Sequence, residues 1–406
     1  MTGSVSDPVN PPQKGKEKKI LGLERNVFFA GLTSFFTDTS TKMVYSVMPL
    51  FLLSLGASKT TLAAIEGIAE STASLLKAFS GFWSDKIGRN KPFMILGYGL
   101  TALITPVFSL VTRPWQVLVL RFIERAGKGI RTAPRDSLIA GSIKSNVAGK
   151  SFGFHKAMDN SGAIIGPLMA FLLLRLLPES YSTVFLIATI PAILGVLTIV
   201  LFIKEARGAK KSGAFKFRFS QLPKRFYWFL AIIFVFTLGN STDALLLVKA
   251  SETGIELAYV PFAYLVFNGV SVIFAMPFGR LSDRIGRERL LIVGYLIYAV
   301  VYFGFGKFSA AGPIFILFAV YGIYSALTDG NQKALVSDFL GKDTKGTGFG
   351  LYHALLGITL LPASLIAGVL YDQVDASAPF YFGGVMGLLA AGMMGVFYVF
   401  GKKKIG

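Results

Sequence analysis

The pattern G-x-x-S-D-[KR]-I-G-R occurs twice in the chain, at Gly81–Arg89 and Gly279–Arg287, 198 residues apart. Each copy joins two long apolar runs. A second echo lies downstream, where Ser151-Phe152-Gly153-Phe154-His155-Lys156-Ala157-Met158 is answered by Gly348-Phe349-Gly350-Leu351-Tyr352-His353-Ala354-Leu355 at an offset of 197. A chain built this way is constrained to two membrane-embedded halves in the same orientation, related by an axis along the membrane normal.

Composition supports the membrane setting. Of 406 residues 53% are hydrophobic and only 16% charged, with a mean hydropathy of +0.60. Runs of about 20 apolar residues, each able to cross a hydrocarbon core of roughly 30 Å, recur along the chain. The spacing predicts twelve spans at 27–54, 60–82, 92–112, 115–140, 151–176, 183–203, 226–249, 258–279, 290–307, 313–337, 347–371 and 379–400. A polar tail (1–26, expected to be disordered and without the apolar core of a signal peptide) precedes the first half at 27–203. A basic linker at 204–225 leads to the second half at 226–400, and a basic tail occupies 401–406. The net charge of +19 concentrates in the tails, the linker and alternate loops, whereas the opposite loops hold scattered cations such as Lys59, Arg113 and Lys307. Under the positive-inside rule this puts both termini and the linker in the cytoplasm. The same placement argues against nucleic acid as a partner. No cysteine is present, so disulfides and thiolate metal sites are excluded.

The paired loop resembles the signature of the major facilitator superfamily, G-x-x-x-D-[RK]-x-G-[RK]-[RK], which joins spans 2 and 3. Here it stands as Gly81, Asp85, Lys86, Gly88 and Arg89, and again as Gly279, Asp283, Arg284, Gly286 and Arg287. Asn90 and Glu288 stand where the family often has a further base. The resemblance implies an all-α membrane protein with twelve transmembrane helices in two six-helix parallel-repeat bundles. It also implies that these loops act as conformational switches. Physically, Gly81 would admit a close helix neighbour, and Asp85 would accept from a helix N-terminus or pair with an arginine. A turn with topology charges is the plainer reading. Gly162, Gly166 and Pro167 resemble the G-x-x-x-G-P motif of antiporters in the superfamily. The string Arg121–Ala140, with Phe35–Asp38 and Phe152–Asp159, looks like a bacterial subgroup named as multidrug or uncharacterised exporters. Lys42 stands where that subgroup often has an acid.

Ionisable residues inside spans are expensive and default to functional roles. Asp38 and Lys42 share one face of span 1, and Glu66, Glu70 and Lys77 share one face of span 2. Span 4 carries Arg121, Glu124, Arg125, Lys128, Thr132, Arg135 and Asp136 on one side, with Arg131 at the edge. Span 5 has His155, Lys156 and Asp159. The second half offers Asp243, Asp329, Lys333 and His353. We expect substrate or coupling roles for Asp38, Lys42, Glu66, Glu70, Arg121, Glu124, Arg125, Asp159, Asp243 and Asp329. Two readings of the bases stay open: they meet an anionic or zwitterionic substrate, or they neutralise the acids within the bundle. Arg121 resembles the span-4 arginine that the superfamily links with proton coupling. The two histidines suit either a proton relay or ordinary polar packing.

No nucleotide-binding, zincin or nucleophile-elbow motif occurs. The expectation is therefore a transporter and not an enzyme, without cofactor or metal. It would be driven by a proton or other ion gradient and work by alternating access as a monomer among the lipids of a bacterial inner membrane. The favoured activity is proton-coupled export of a small organic molecule. Uptake or exchange of an anionic or zwitterionic solute is one alternative, and a lipid translocator or membrane sensor is another.

Overall fold

A computed structural model of the chain describes residues 19–143, 148–205, 221–341 and 344–402, with the side chains of residues 78, 81–86, 148–149 and 401–402 excepted. Most of both expected tails and of the linker, and the side chains of Gly81 and Asp85, therefore lie outside the described residues. Among those described there are thirteen α-helices. They are α1 (Arg25–Ser54), α2 (Lys59–Ile87), α3 (Lys91–Val107, extended by a 3-10 turn), α4 (Pro114–Gly141), α5 (Ala148–Leu176) and α6 (Tyr181–Phe202). The second set is α7 (Lys224–Gly239), α8 (Asp243–Ser251), α9 (Tyr259–Ile285), α10 (Arg287–Lys307), α11 (Ala311–Phe339), α12 (Lys345–Gln373) and α13 (Ala378–Lys402).

Each expected span holds a helix, and that at 226–249 holds two. The polar run Asn240-Ser241-Thr242-Asp243 stands at the break, but the apolar stretches on either side together have the length of one span. Among the described residues nine segments, counting α7 and α8 as one, are long and apolar enough to cross a membrane. Helices α1, α2 and α4 are as long, at 30, 29 and 28 residues, but their polar and charged residues keep them out of that set.

Helix α1 packs against α5 and α6, α4 against α2 and α3, and α3 against α6. In the second set α10 packs against α11 and α13, α9 against α11, and α7 against α12 and α13. The main contacts between the sets run along α2–α12 and α5–α9. Close approach needs small residues. A Cβ on Gly162 would lie 2.5 Å from the Phe35 carbonyl oxygen, and one on Gly166 would lie 2.5 Å from that of Thr39. The G-x-x-x-G string thus lets the α5 backbone lie directly on α1.

The loop motif takes a definite form in its second copy. Gly286 ends α9 with φ +96°, a conformation natural to glycine. Arg287 donates to the Ala334 carbonyl at 3.0 Å, pairs with Asp338 on α11, and reaches Asp283 at 3.4 Å. This latch lies wholly within the second set of helices. Gly279 departs from the close-packing expectation, because a Cβ there would meet nothing within 4 Å. In the first copy Gly88 has φ +70° and Arg89 is exposed. Beside it, Glu205 accepts from the amides of Asn90 (2.9 Å) and Lys91 (3.0 Å), capping the start of α3. Lys91 in turn donates to Val200 O and Ile203 O at the end of α6. Each charge sits at the helix end whose dipole favours it.

Candidate functional site

A cavity of about 1710 Å³ lies between the two sets of helices, walled by α1, α2, α4 and α5 on one side and by α8, α9, α11 and α12 on the other. Its lining runs to Asp136, Lys156, Lys333 and Gly346, so it reaches the end of the molecule where α4 and α11 finish and α5 and α12 begin. The opposite end is sealed. There Arg175 Nη1 donates to both oxygens of Glu256, Lys59 pairs with Glu252 at 3.3 Å, and Phe171 meets Tyr259 and Phe262.

The structure sorts the expected site residues into two groups. Asp38, Lys42, Glu70, Arg125, Asp159, Asp243 and Asp329 line the cavity. Glu66, Arg121 and Glu124 do not. Those three, expected in substrate or coupling roles, form a buried ion triad behind the wall and do not meet the cavity. Arg121 Nε and Nη2 grip Glu66 at 2.9 and 2.5 Å, and Nη1 donates to Glu124 at 2.6 Å. With Arg121 0% and Glu66 1% exposed, the three groups satisfy one another away from solvent. The physical reason is that α2 lies on α4, so one edge of the charged stripe of α4 turns toward α2 and only the other meets the cavity. Arg131, which helical geometry puts at the edge of that stripe, still borders the cavity but is held by Thr101 at 2.7 Å and stacks over Tyr98.

At the cavity surface, Arg125 pairs with Glu70 at 3.0 Å. The Arg121 and Arg125 guanidinium groups both lie over the Tyr45 ring, 5.5 and 5.7 Å from its centroid, which adds cation–π attraction to the ion pairs. Lys42 points across the cavity. Its Nζ donates to Tyr264 Oη of α9 at 2.8 Å rather than to Asp38 one turn before it. Asp38 on α1 and Asp159 on α5 both line the cavity wall, with their carboxyls close enough to interact. Two carboxyls brought this close repel each other when both are ionised. Lys156 also reaches Asp159, at 3.2 Å, and His155 Nε2 meets Ser34 Oγ at 2.8 Å.

Asp243 owes its position to the break between α7 and α8. Thr242 caps α8 by accepting from the Ala244 amide at 3.2 Å, and Asp243 is the first residue of the new helix. The Gly239 carbonyl freed by the break accepts from Tyr298 Oη at 2.7 Å, Asn240 donates to Tyr324 Oη, and Asp243 accepts from Tyr321 Oη at 2.8 Å. Irregular backbone at membrane depth is tolerated where neighbours satisfy it and it lines a cavity. The residues that sequence reasoning missed are Tyr45, Tyr264 and Tyr321. Their signal was faint: each tyrosine sits in an apolar span, and only tertiary structure supplies the cation or carboxylate it meets.

A charged cavity between two sets of long apolar helices is the arrangement against which relatives can be weighed. The sequence matches the profile of the Major Facilitator Superfamily over residues 30–249 and 228–404. An uncharacterized MFS-type transporter of Methanocaldococcus jannaschii is 35% identical over 378 residues, covering 91% of this chain and 94% of the relative. The multi-drug resistance efflux pump PmrA of Streptococcus pneumoniae is 25% identical over 393 residues, covering 92% and 91%. Among solved structures, a POT family transporter in complex with 5-aminolevulinic acid superposes with a TM-score of 0.79 at 13% identity, covering 94% of this chain and 97% of its own. The nucleoside transporter NupG superposes with a TM-score of 0.73 at 12% identity, covering 92% and 99%. At these identities the structural likeness concerns the fold. The chain belongs to the Major Facilitator Superfamily, as a multi-pass membrane transporter and not an enzyme.

Proposed function

We propose that the protein exports a small polar organic solute in exchange for protons, by alternating access. In this reading α7 and α8 form one broken span, giving twelve. Residues 27–203 and 226–400 form two six-helix bundles that rock about the cavity, joined by the cytoplasmic linker 204–225. Both termini face the cytoplasm of an inner membrane, so the cavity described above opens inward. The protein works as a monomer and needs no cofactor beyond the ion gradient.

The observation that carries the coupling is the Asp38–Asp159 carboxyl pair on the cavity wall. Lys42, Lys128, Arg131, Arg135, His155 and Lys156 surround it. Ionisation of both acids would leave two neighbouring carboxylates, whose repulsion is relieved by solvent cations, by the nearby bases or by a change of conformation. A proton taken up from one side and released to the other is the exchange that drives export. The close α1–α5 contact at Gly162 and Gly166 brings these two acids together, and a relative named as an efflux pump agrees with the outward direction.

The test uses protein reconstituted in liposomes with a trapped pH dye and a panel of cationic, zwitterionic and anionic solutes. An imposed pH gradient should drive accumulation of at least one solute with opposed proton movement. Asp38→Asn and Asp159→Asn should each abolish the pH dependence. Flux indifferent to both the gradient and these substitutions would sink the proton-exchange reading.

A second reading, uptake or exchange of an anionic or zwitterionic solute, is favoured by Lys128. It faces the cavity with no ion pair among the described residues. Lys128→Gln should then raise KM for anions and leave cations unaffected.

A further inference from the structure

Where the wall formed by α2 meets that formed by α11 and α12, the cavity lining brings together Lys77, Lys333 and His353. The seam between α2 and α12 fixes this meeting. The two helices run antiparallel in tight contact, with a Cβ on Gly368 lying 2.7 Å from Thr60 Cα, one on Gly67 2.9 Å from Ser364 Cβ, and one on Gly357 2.8 Å from Leu75 Cγ. Continuing this register toward the open end sets Lys77 opposite His353. Lys333, from α11, lies within electrostatic reach of both. No carboxylate is ion-paired to Lys77 or Lys333 among the described residues, although acids stand nearby. Asp136 faces Lys77 but already accepts from Arg135, and Asp329, one turn from Lys333, accepts from Ser325. Arg135 and Lys156 add further positive charge on the side of Lys77.

Three basic side chains from three helices and both halves, gathered in one recess without an acid pairing the lysines, form a receptor for negative charge. We propose that Lys77, Lys333 and His353 bind the carboxylate or phosphate group of a small solute at the seam between the halves. The lysine ammoniums supply point charge and rotatable donors, and the imidazole supplies an N–H. The site deepens the alternating-access reading and rests on it for its consequence. Closing the open end would drive Lys77 toward Lys333, and their repulsion opposes that motion until an anion lies between them. The anionic group would then be what licenses closure, with the rest of the solute held deeper in the cavity.

Binding is testable without transport. Protein purified in neutral detergent is melted at constant ionic strength while chloride is exchanged for inorganic phosphate, succinate or glycerol 3-phosphate. At least one of the three should raise the melting temperature saturably, because a ligand that binds only the folded state stabilises it. Lys77→Gln and Lys333→Gln should each weaken that binding about 10-fold or more, the scale of a lost charge-assisted hydrogen bond. Lys333→Arg, which keeps the charge and guards against a folding artefact, should retain it within a few fold. No saturable response to any of the three overturns the proposal, as does an equal response in the Lys77→Gln/Lys333→Gln double variant. A response confined to a short-chain anionic phospholipid overturns it too, since the recess would then hold a headgroup. Saturable binding without proton-driven flux would count against the transport reading and leave the site standing, and flux without binding would do the reverse.

Discussion

Glu66 and Glu70 lie one turn apart on α2, yet the side chain of Glu66 is 1% exposed and that of Glu70 35%. Burial decides what each is worth. Arg121→Met would strand two carboxylates, Glu66 and Glu124, in a dry site and should cost about 3–5 kcal/mol of stability. Glu70→Gln removes a partly solvated carboxylate but leaves the buried Arg125 without its ion partner, and should cost less, about 1–3 kcal/mol. Thermal melting in detergent reads both. An Arg121→Met protein that melts like the parent but no longer transports would move Arg121 from scaffold to site. Helical spacing placed Arg121, Glu124 and Arg125 on one stripe, and they do share it. Spacing does not say which edge of a stripe meets a neighbour and which meets a cavity, because that depends on where α2 lies. The link from Lys42 to Tyr264 was illegible for the same reason: 222 residues separate the partners and only tertiary structure joins them.

At the scale of the helices, glycines report which contacts are tight. Gly166→Ala puts a methyl group 2.5 Å from the Thr39 carbonyl oxygen and 2.8 Å from the Met43 amide nitrogen, atoms of α1 that cannot move aside singly. A loss of about 1–3 kcal/mol is expected from such overpacking. Gly153→Ala meets open space on the same helix and should be neutral, or stabilising by up to about 1 kcal/mol through helix propensity. Melting temperatures of the pair separate close approach from a general intolerance of α5. Gly279→Ala also meets open space here. If the loop glycine serves a close contact formed only in another conformation, this variant should slow transport without lowering the melting temperature. Periodicity made the length and order of the helices legible, and the G-x-x-x-G-P string made one contact legible. The break at residues 240–242 left a sign in the polar run Asn240-Ser241-Thr242-Asp243, but the apolar stretches flanking it add up to the length of one span and so read as one helix.

The molecule as a whole is held at its sealed end by a few polar ties between the two sets of helices. At the start of α2, Ser58 Oγ accepts from the Thr61 amide, while Asp372 of α12 accepts from the amides of Lys59 (3.3 Å) and Thr60 (2.7 Å). A helix N-terminus in one half is thus capped from the other. Beside it, Glu252 pairs with Lys59 and accepts from Tyr371 Oη at 2.5 Å. A cap is worth about 1 kcal/mol and an exposed ion pair about 0–1 kcal/mol. The sum is of the order of the few kcal/mol that separate two conformations of a switching protein. Removing these ties should therefore shift the population rather than unfold the chain. In Asp372→Ala/Glu252→Ala, a loss of about 1–2 kcal/mol corresponds to a 5- to 30-fold gain of the state open at this end. The native sequence has no cysteine, so cysteines introduced at Ser182 and Val374, one on each side of the sealed end, would be the only sites of spin labelling. The double variant should populate a longer label-to-label distance that is scarce in the parent. The shift should reverse when the cavity at the opposite end is held open by a labelled or cross-linked obstruction. Identical distance distributions in the two proteins would mean that the apolar seams α2–α12 and α5–α9, and not the polar ties, keep this end shut.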